Sequence, residues 1–192
     1  MKRIALFGGS FDPIHLGHLS IIEALVHSKQ YEHIFVIPCG SHAFQKKFLF
    51  TSKERLDFLR ASLSELSTVE VSEIEISTAQ ASYSIDTILH FKEKYPATKL
   101  VFVLGTDAFS KLDQWHRVDE LVQLCQFVVI KRKDDLLQIP VIAGLNYELI
   151  DINAPQISST KIREQIAKKG SLKGLVHPFV EEQLKSTTQR AN

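Results

Sequence analysis

The chain has 192 residues, 44% of them hydrophobic and 23% charged, with a net charge of +1. That is enough to bury a proper core, and the composition is that of an ordinary soluble globular protein. No long basic stretch is present, so no nucleic-acid partner is expected, although local phosphate binding needs only a few well-placed donors.

The predicted elements alternate. Short apolar runs at 4–7, 34–37, 100–104, 127–130 and 147–152, with an alternating stretch over 69–76, read as strands. Several are unbroken apolar runs, as expected of strands covered on both faces. Between them lie helical stripes. The first carries Leu19, Ile22, Leu25 and Val26. A second begins at Thr51 or Ser52, with Glu54 or Arg55 in its first turn and Leu56, Leu59 and Leu63 following. A third carries Ile85, Ile88, Leu89 and Phe91 and is closed by Pro96. Strand, helix, strand, repeated, predicts an α/β fold with a doubly wound parallel sheet. Ligands in such sheets bind at the carboxyl ends of the strands.

Near the end a helix is predicted over 158–169, stopped by Gly170, and another is opened by Pro178. Residues 156–187 are read as a helical C-terminal extension of one domain spanning 1–192, with 186–192 frayed. No apolar run approaches the ~18 residues of a membrane span, and the opening MKRIALFGG does not pattern as a signal peptide. A cytoplasmic protein with no membrane partner is expected. Cys39 and Cys125 lie far apart without metal-ligand spacing and read as buried, reduced thiols.

Two segments carry chemistry. The first, Gly8-Gly9-Ser10-Phe11-Asp12-Pro13-Ile14-His15-Leu16-Gly17-His18, joins the first strand to the first helix. Gly8 and Gly9 are expected to let the backbone turn sharply and approach a ligand. Pro13 delays the helix to Leu16 or Gly17, whose amides would be free donors at the positive end of the helix dipole. His15 and His18 can project together from that start and hydrogen-bond phosphate oxygens, and Ser10 adds a hydroxyl. Neither a P-loop nor a GxGxxG fingerprint fits the spacing, and no third ligand makes the histidines a zinc pair. The second segment, Ile157-Ser158-Ser159-Thr160-Lys161-Ile162-Arg163, places three hydroxyl residues and two cations at a helix start, a second anion site.

The first segment resembles the nucleotidylyltransferase superfamily, whose signature after a glycine-rich loop is HxGH or [ST]xGH. The second reproduces that superfamily's late ISSTxIR motif. The resemblance implies a Rossmann-like nucleotidyltransferase fold in which Gly8, Gly9, Ser10 and Phe11 line the ATP. His15 and His18 would hold the triphosphate and stabilise the transition state at the α-phosphorus. Ser158, Ser159, Thr160 and Arg163 would grip the β- and γ-phosphates.

In the middle of the chain, Gly105-Thr106-Asp107 and Trp115 resemble the GxD…W segment of bacterial nicotinate-nucleotide adenylyltransferases, and the stretch 81–87 resembles their SYTxDTL segment with Ser84 in place of Thr. This implies that Trp115 stacks on a pyridine ring, that amides near Gly105, Thr106 and Asp107 receive its carboxylate, and that Ser84 lies by the ribose phosphate. The partners implied are ATP and a pyridine mononucleotide. Mg²⁺ would be carried with ATP, and no protein metal site is expected.

The stretch 39–55 departs from that family and looks more like phosphopantetheine adenylyltransferases, which makes phosphopantetheine the alternative acceptor. Lys46 or Lys47 would supply a phosphate-binding cation. A non-catalytic nucleotide-binding module is the further alternative. His42 and His116 are weaker site candidates, and the run 131–135 reads as a solvated loop. Glu54 and Arg55 read as surface or structural residues.

Overall fold

The computed structural model describes residues 2–40, 48–77, 83–132 and 135–190, with side chains to residue 185. Six strands form one sheet: β1 (Arg3–Gly9), β2 (His33–Pro38), β3 (Val69–Val71), β4 (Lys99–Gly105), β5 (Gln126–Lys131) and β6 (Tyr147–Asp151). Their order is β3-β2-β1-β4-β5-β6, and every neighbouring pair is parallel. The order reverses between β1 and β4, which leaves a crevice at their carboxyl ends.

The strands alternate faces, and each face is buried. From β1, Ala5 and Phe7 join Val36, Val101, Val103 and Val128 under α1 (Leu16–His27), α2 (Ser52–Leu63), α6 (Ser159–Ala167) and α7 (Pro178–Arg190). Ile4 and Leu6 join Phe35, Phe102, Leu104 and Phe127 on the other face, under α3 (Ser84–Lys94) and α5 (Val118–Leu124). Each fully buried Leu or Ile contributes roughly 2 kcal/mol by leaving water. A four-residue helix, α4 (Thr106–Phe109), follows β4 directly.

Helix starts follow local chemistry. Thr51 caps α2 in a reciprocal capping box with Glu54. Ser158 caps α6 by accepting from the Lys161 amide at 3.2 Å. Three expectations need correction. The alternating stretch 69–76 is strand only to Val71, because the chain turns over Glu73–Ser77 through bonds to the Glu73 carbonyl. That turn buries Glu75, which accepts from the Thr87 hydroxyl at 2.7 Å. The stop of α6 falls on Lys169, with φ at +53°, rather than on Gly170. The helix expected to fray after 185 runs to Arg190. No helix among the described residues is long and apolar enough to cross a membrane.

Cys39 is half-buried and Cys125 buried, and both are free thiols. Burial pushes the Cys125 thiol up to about 12.

Candidate active site

The loop after β1 is built around a phenylalanine. Gly8 and Gly9 stay extended within β1, and it is Phe11 that takes the left-handed backbone, with φ at +44°. The glycines make room instead of turning: a Cβ on Gly9 would stand 3.0 Å from the Phe11 ring, and one on Gly8 would stand 3.4 Å from Phe102. The buried Phe11 ring meets Phe7 edge-on at 5.5 Å and His18 at 4.9 Å.

As predicted, α1 starts at Leu16, with His15 as its N-cap. The two imidazoles stack with centroids 3.6 Å apart. The His18 amide donates to His15 Nδ1 at 3.3 Å. An accepting Nδ1 leaves the proton of the neutral ring on Nε2, so His15 is set as an Nε2 donor. Burial, and next the charge of Arg132, lower the His15 pKa to about 4. Burial first, then His15 and Arg132, lower that of His18 well below the ordinary value. His18 Nδ1 is sealed from solvent with no hydrogen-bond partner among the described residues. The free protein therefore presents two neutral imidazoles. The helix start is less open than expected, because the Leu16 amide is bonded to the Leu175 carbonyl at 2.9 Å.

The second segment meets the first directly. Ser159 Oγ donates to the Pro13 carbonyl at 3.1 Å. Arg163 donates to the Asp12 carbonyl at 2.9 Å and to Thr160 Oγ1 at 3.1 Å. The Asp12 carboxylate, 3.5 Å from the Arg163 guanidinium, also accepts the amides of Leu49 and Phe50. Two helix beginnings from opposite ends of the chain thus share one loop. The amides of Ser159 and Thr160 find no acceptor among the described residues. Lys46, Lys47 and His42 lie outside the described residues.

Across the crevice, Gly105 ends β4 and caps α4, with no atom of another described residue within 4 Å of where its Cβ would be. Thr106 is buried, and its hydroxyl donates to Asp135 at 3.0 Å; Asp107 is exposed. Trp115 is half-buried, edge-on to Phe102 at 5.8 Å. Ser84 begins α3, and Tyr83 just before it lies 4.4 Å from the His116 ring.

Two residues were missed by sequence reasoning. Asp12 ties three segments together, and its partners are remote in sequence. Arg132, read as part of a solvated loop, is half-buried at the end of β5 and held by Asp135 through both its amide and Nε. A cation directly after a buried strand was the available signal.

A parallel sheet with this strand reversal, and an HxGH loop bonded to a Ser-Ser-Thr helix start at its edge, define a nucleotidyltransferase. The cytidylyltransferase-like family model matches residues 6–165. The probable nicotinate-nucleotide adenylyltransferase of Staphylococcus epidermidis is 33% identical over 189 residues, covering 96% of this chain and 95% of that protein. Its namesake in Shouchella clausii is 34% identical over 190 residues, covering 95% and 93%. The chain belongs to the nicotinate-nucleotide adenylyltransferase family. The fold is shared with the Plasmodium falciparum nicotinic acid mononucleotide adenylyltransferase complexed with NaAD, with a TM-score of 0.83, 22% identity and coverage of 97% and 96%.

Proposed function

We propose that the chain moves the adenylyl group of ATP onto nicotinate mononucleotide, giving deamido-NAD and pyrophosphate, as a single-domain cytoplasmic enzyme. The observation that carries this reading is the pair of hydrogen bonds from Ser159 and Arg163 to the loop between Gly9 and His15, which brings both phosphate-binding motifs to one place.

In the reaction, an acceptor phosphate oxygen forms a bond to the α-phosphorus while the bond from that phosphorus to the β-bridging oxygen breaks. The electron pair leaves on pyrophosphate. The attacking oxygen is anionic at pH 7, so no protein base is needed, and catalysis is positioning plus charge stabilisation. His15 Nε2–H and His18 donate to oxygens at the α-phosphorus, with Ser10 and the backbone of Gly8, Gly9 and Phe11 lining the nucleotide. The open amides of Ser159 and Thr160, with Ser158 and Arg163, receive the departing pyrophosphate. Arg132 adds positive charge that is felt at His15 and His18. The acceptor lies between Trp115, Ser84 and the segment Gly105, Thr106 and Asp107. Lys46 or Lys47 screens the repulsion between the two substrates.

Mg²⁺ is carried on the triphosphate. The groups around the loop are imidazole, hydroxyl, amide and guanidinium donors, and the Asp12 carboxylate is already engaged by amides. That set suits phosphate oxygens rather than a hard cation, and no group of three or more metal-ligating side chains occurs among the described residues.

Incubation with ATP, Mg²⁺ and nicotinate mononucleotide, nicotinamide mononucleotide or phosphopantetheine separately, with products identified by mass, tests the assignment. Deamido-NAD formed fastest is the expected result. Turnover of phosphopantetheine alone would replace the acceptor, and ATP binding without any product would leave a binding module.

A further inference from the structure

Arg55 is the largest fully buried side chain among the described residues, and the chemistry above does not use it. Sequence reading placed it at a helix start as a surface or structural residue, yet its guanidinium is buried between the loops that follow β1 and β2. One nitrogen, Nη1, donates to two carbonyls from different loops: Ser10 at 2.9 Å, after β1, and Cys39 at 2.8 Å, after β2. The guanidinium lies 4.1 Å from the Phe48 ring centroid, feels the Asp12 charge, and leaves Nε buried without a hydrogen-bond partner among the described residues. A buried arginine is expensive to keep, and core packing alone would be served by an apolar side chain.

What the two bonds fix is the direction of the next amides. In a trans peptide the C=O and the following N–H point opposite ways. Holding the Ser10 and Cys39 carbonyls toward the guanidinium turns the Phe11 and Gly40 amides away from it. Neither amide finds an acceptor among the described residues. The second peptide lies against the turn that follows β3, where a Cβ at Gly40 would strike the Glu75 carbonyl oxygen at 2.0 Å, so only glycine fits there.

We propose that Arg55 is a positioning residue that aims the Phe11 and Gly40 amides at substrate phosphate oxygens, keeping the nucleotide loop and the loop after β2 in register. This rests on the adenylyl-transfer reading above.

The test compares wild type, Arg55→Met and Arg55→Lys in steady-state pyrophosphate release, each below its own melting point, with ATP affinity measured by calorimetry. Losing two aimed donors is expected to lower kcat by about 10–10²-fold in Arg55→Met. Arg55→Lys should fall between, because one ammonium can donate to both carbonyls as Nη1 does. Wild-type kcat in a folded Arg55→Met protein that merely melts lower would overturn the proposal. Should Arg55→Met not fold, Arg55→Gln takes its place, because its shorter amide cannot reach both carbonyls: reduced kcat below its melting point supports the role, and wild-type kcat refutes it. A wild type that forms no product with any acceptor refutes the adenylyl-transfer reading instead. Weaker ATP binding by the variants would then still support the role of Arg55, and equal binding would refute it.

Discussion

The two histidines are neutral donors stacked face to face, and this decides what each can contribute. Two imidazolium charges at a centroid distance of 3.6 Å would repel strongly, so at most one ring is charged with nucleotide bound. His18, enclosed by Phe7, Phe11 and His15, is the better placed to act through a fixed N–H. Replacing it with alanine should lower kcat by about 10²–10⁴-fold, the size of losing transition-state charge stabilisation, with little change in KM for ATP. Steady-state pyrophosphate release reads both numbers, and an unimpaired His18→Ala enzyme would remove the mechanism. The pair itself is legible in sequence, because two histidines three apart after a strand need no tertiary knowledge. Asp12 and Arg55 are not, because their partners at 49–50, 163, 10 and 39 come together only in the fold.

At the scale of elements, α6 is held to the nucleotide loop by side chains rather than by apolar packing alone. Ser159→Ala removes the bond to the Pro13 carbonyl and leaves that acceptor unpaired. It should cost about 1 kcal/mol of stability, read by urea denaturation, and should raise KM for ATP more than it changes kcat. An unchanged KM would mean that α6 does not touch the triphosphate. The starts of α6 and α2 were readable to within a residue or two from their hydroxyl side chains, because caps are local. The short β3 was not. Its alternation continues through residues that turn, and only the pairing of Glu75 with Thr87 on a distant helix shows why.

For the molecule as a whole, the buried histidines make stability depend on acid. His15 falls from 6.5 to about 4 on folding, so the unfolded chain binds more protons between those values. Its contribution is intact above pH 6.5 and is lost progressively as pH falls toward 4, amounting to on the order of 3 kcal/mol by then. The urea midpoint of wild type, taken relative to that of His15→Asn, which keeps a capping side chain, should fall as pH drops. Parallel curves for the two proteins would contradict this. The doubly wound sheet was legible throughout, since unbroken apolar strands and amphipathic helices alternate along the chain. That both nucleotide motifs serve one triphosphate was implied by the resemblance, but the bonds from Ser159 and Arg163 to the loop between Gly9 and His15 needed the fold.

The most direct measurement is a crystal structure with a non-hydrolysable ATP analogue and Mg²⁺. The triphosphate is predicted to lie between the His15–His18 pair and the first amides of α6, with Arg163 at its far end. An analogue bound elsewhere, or one touching α1 but out of reach of α6, would contradict the account.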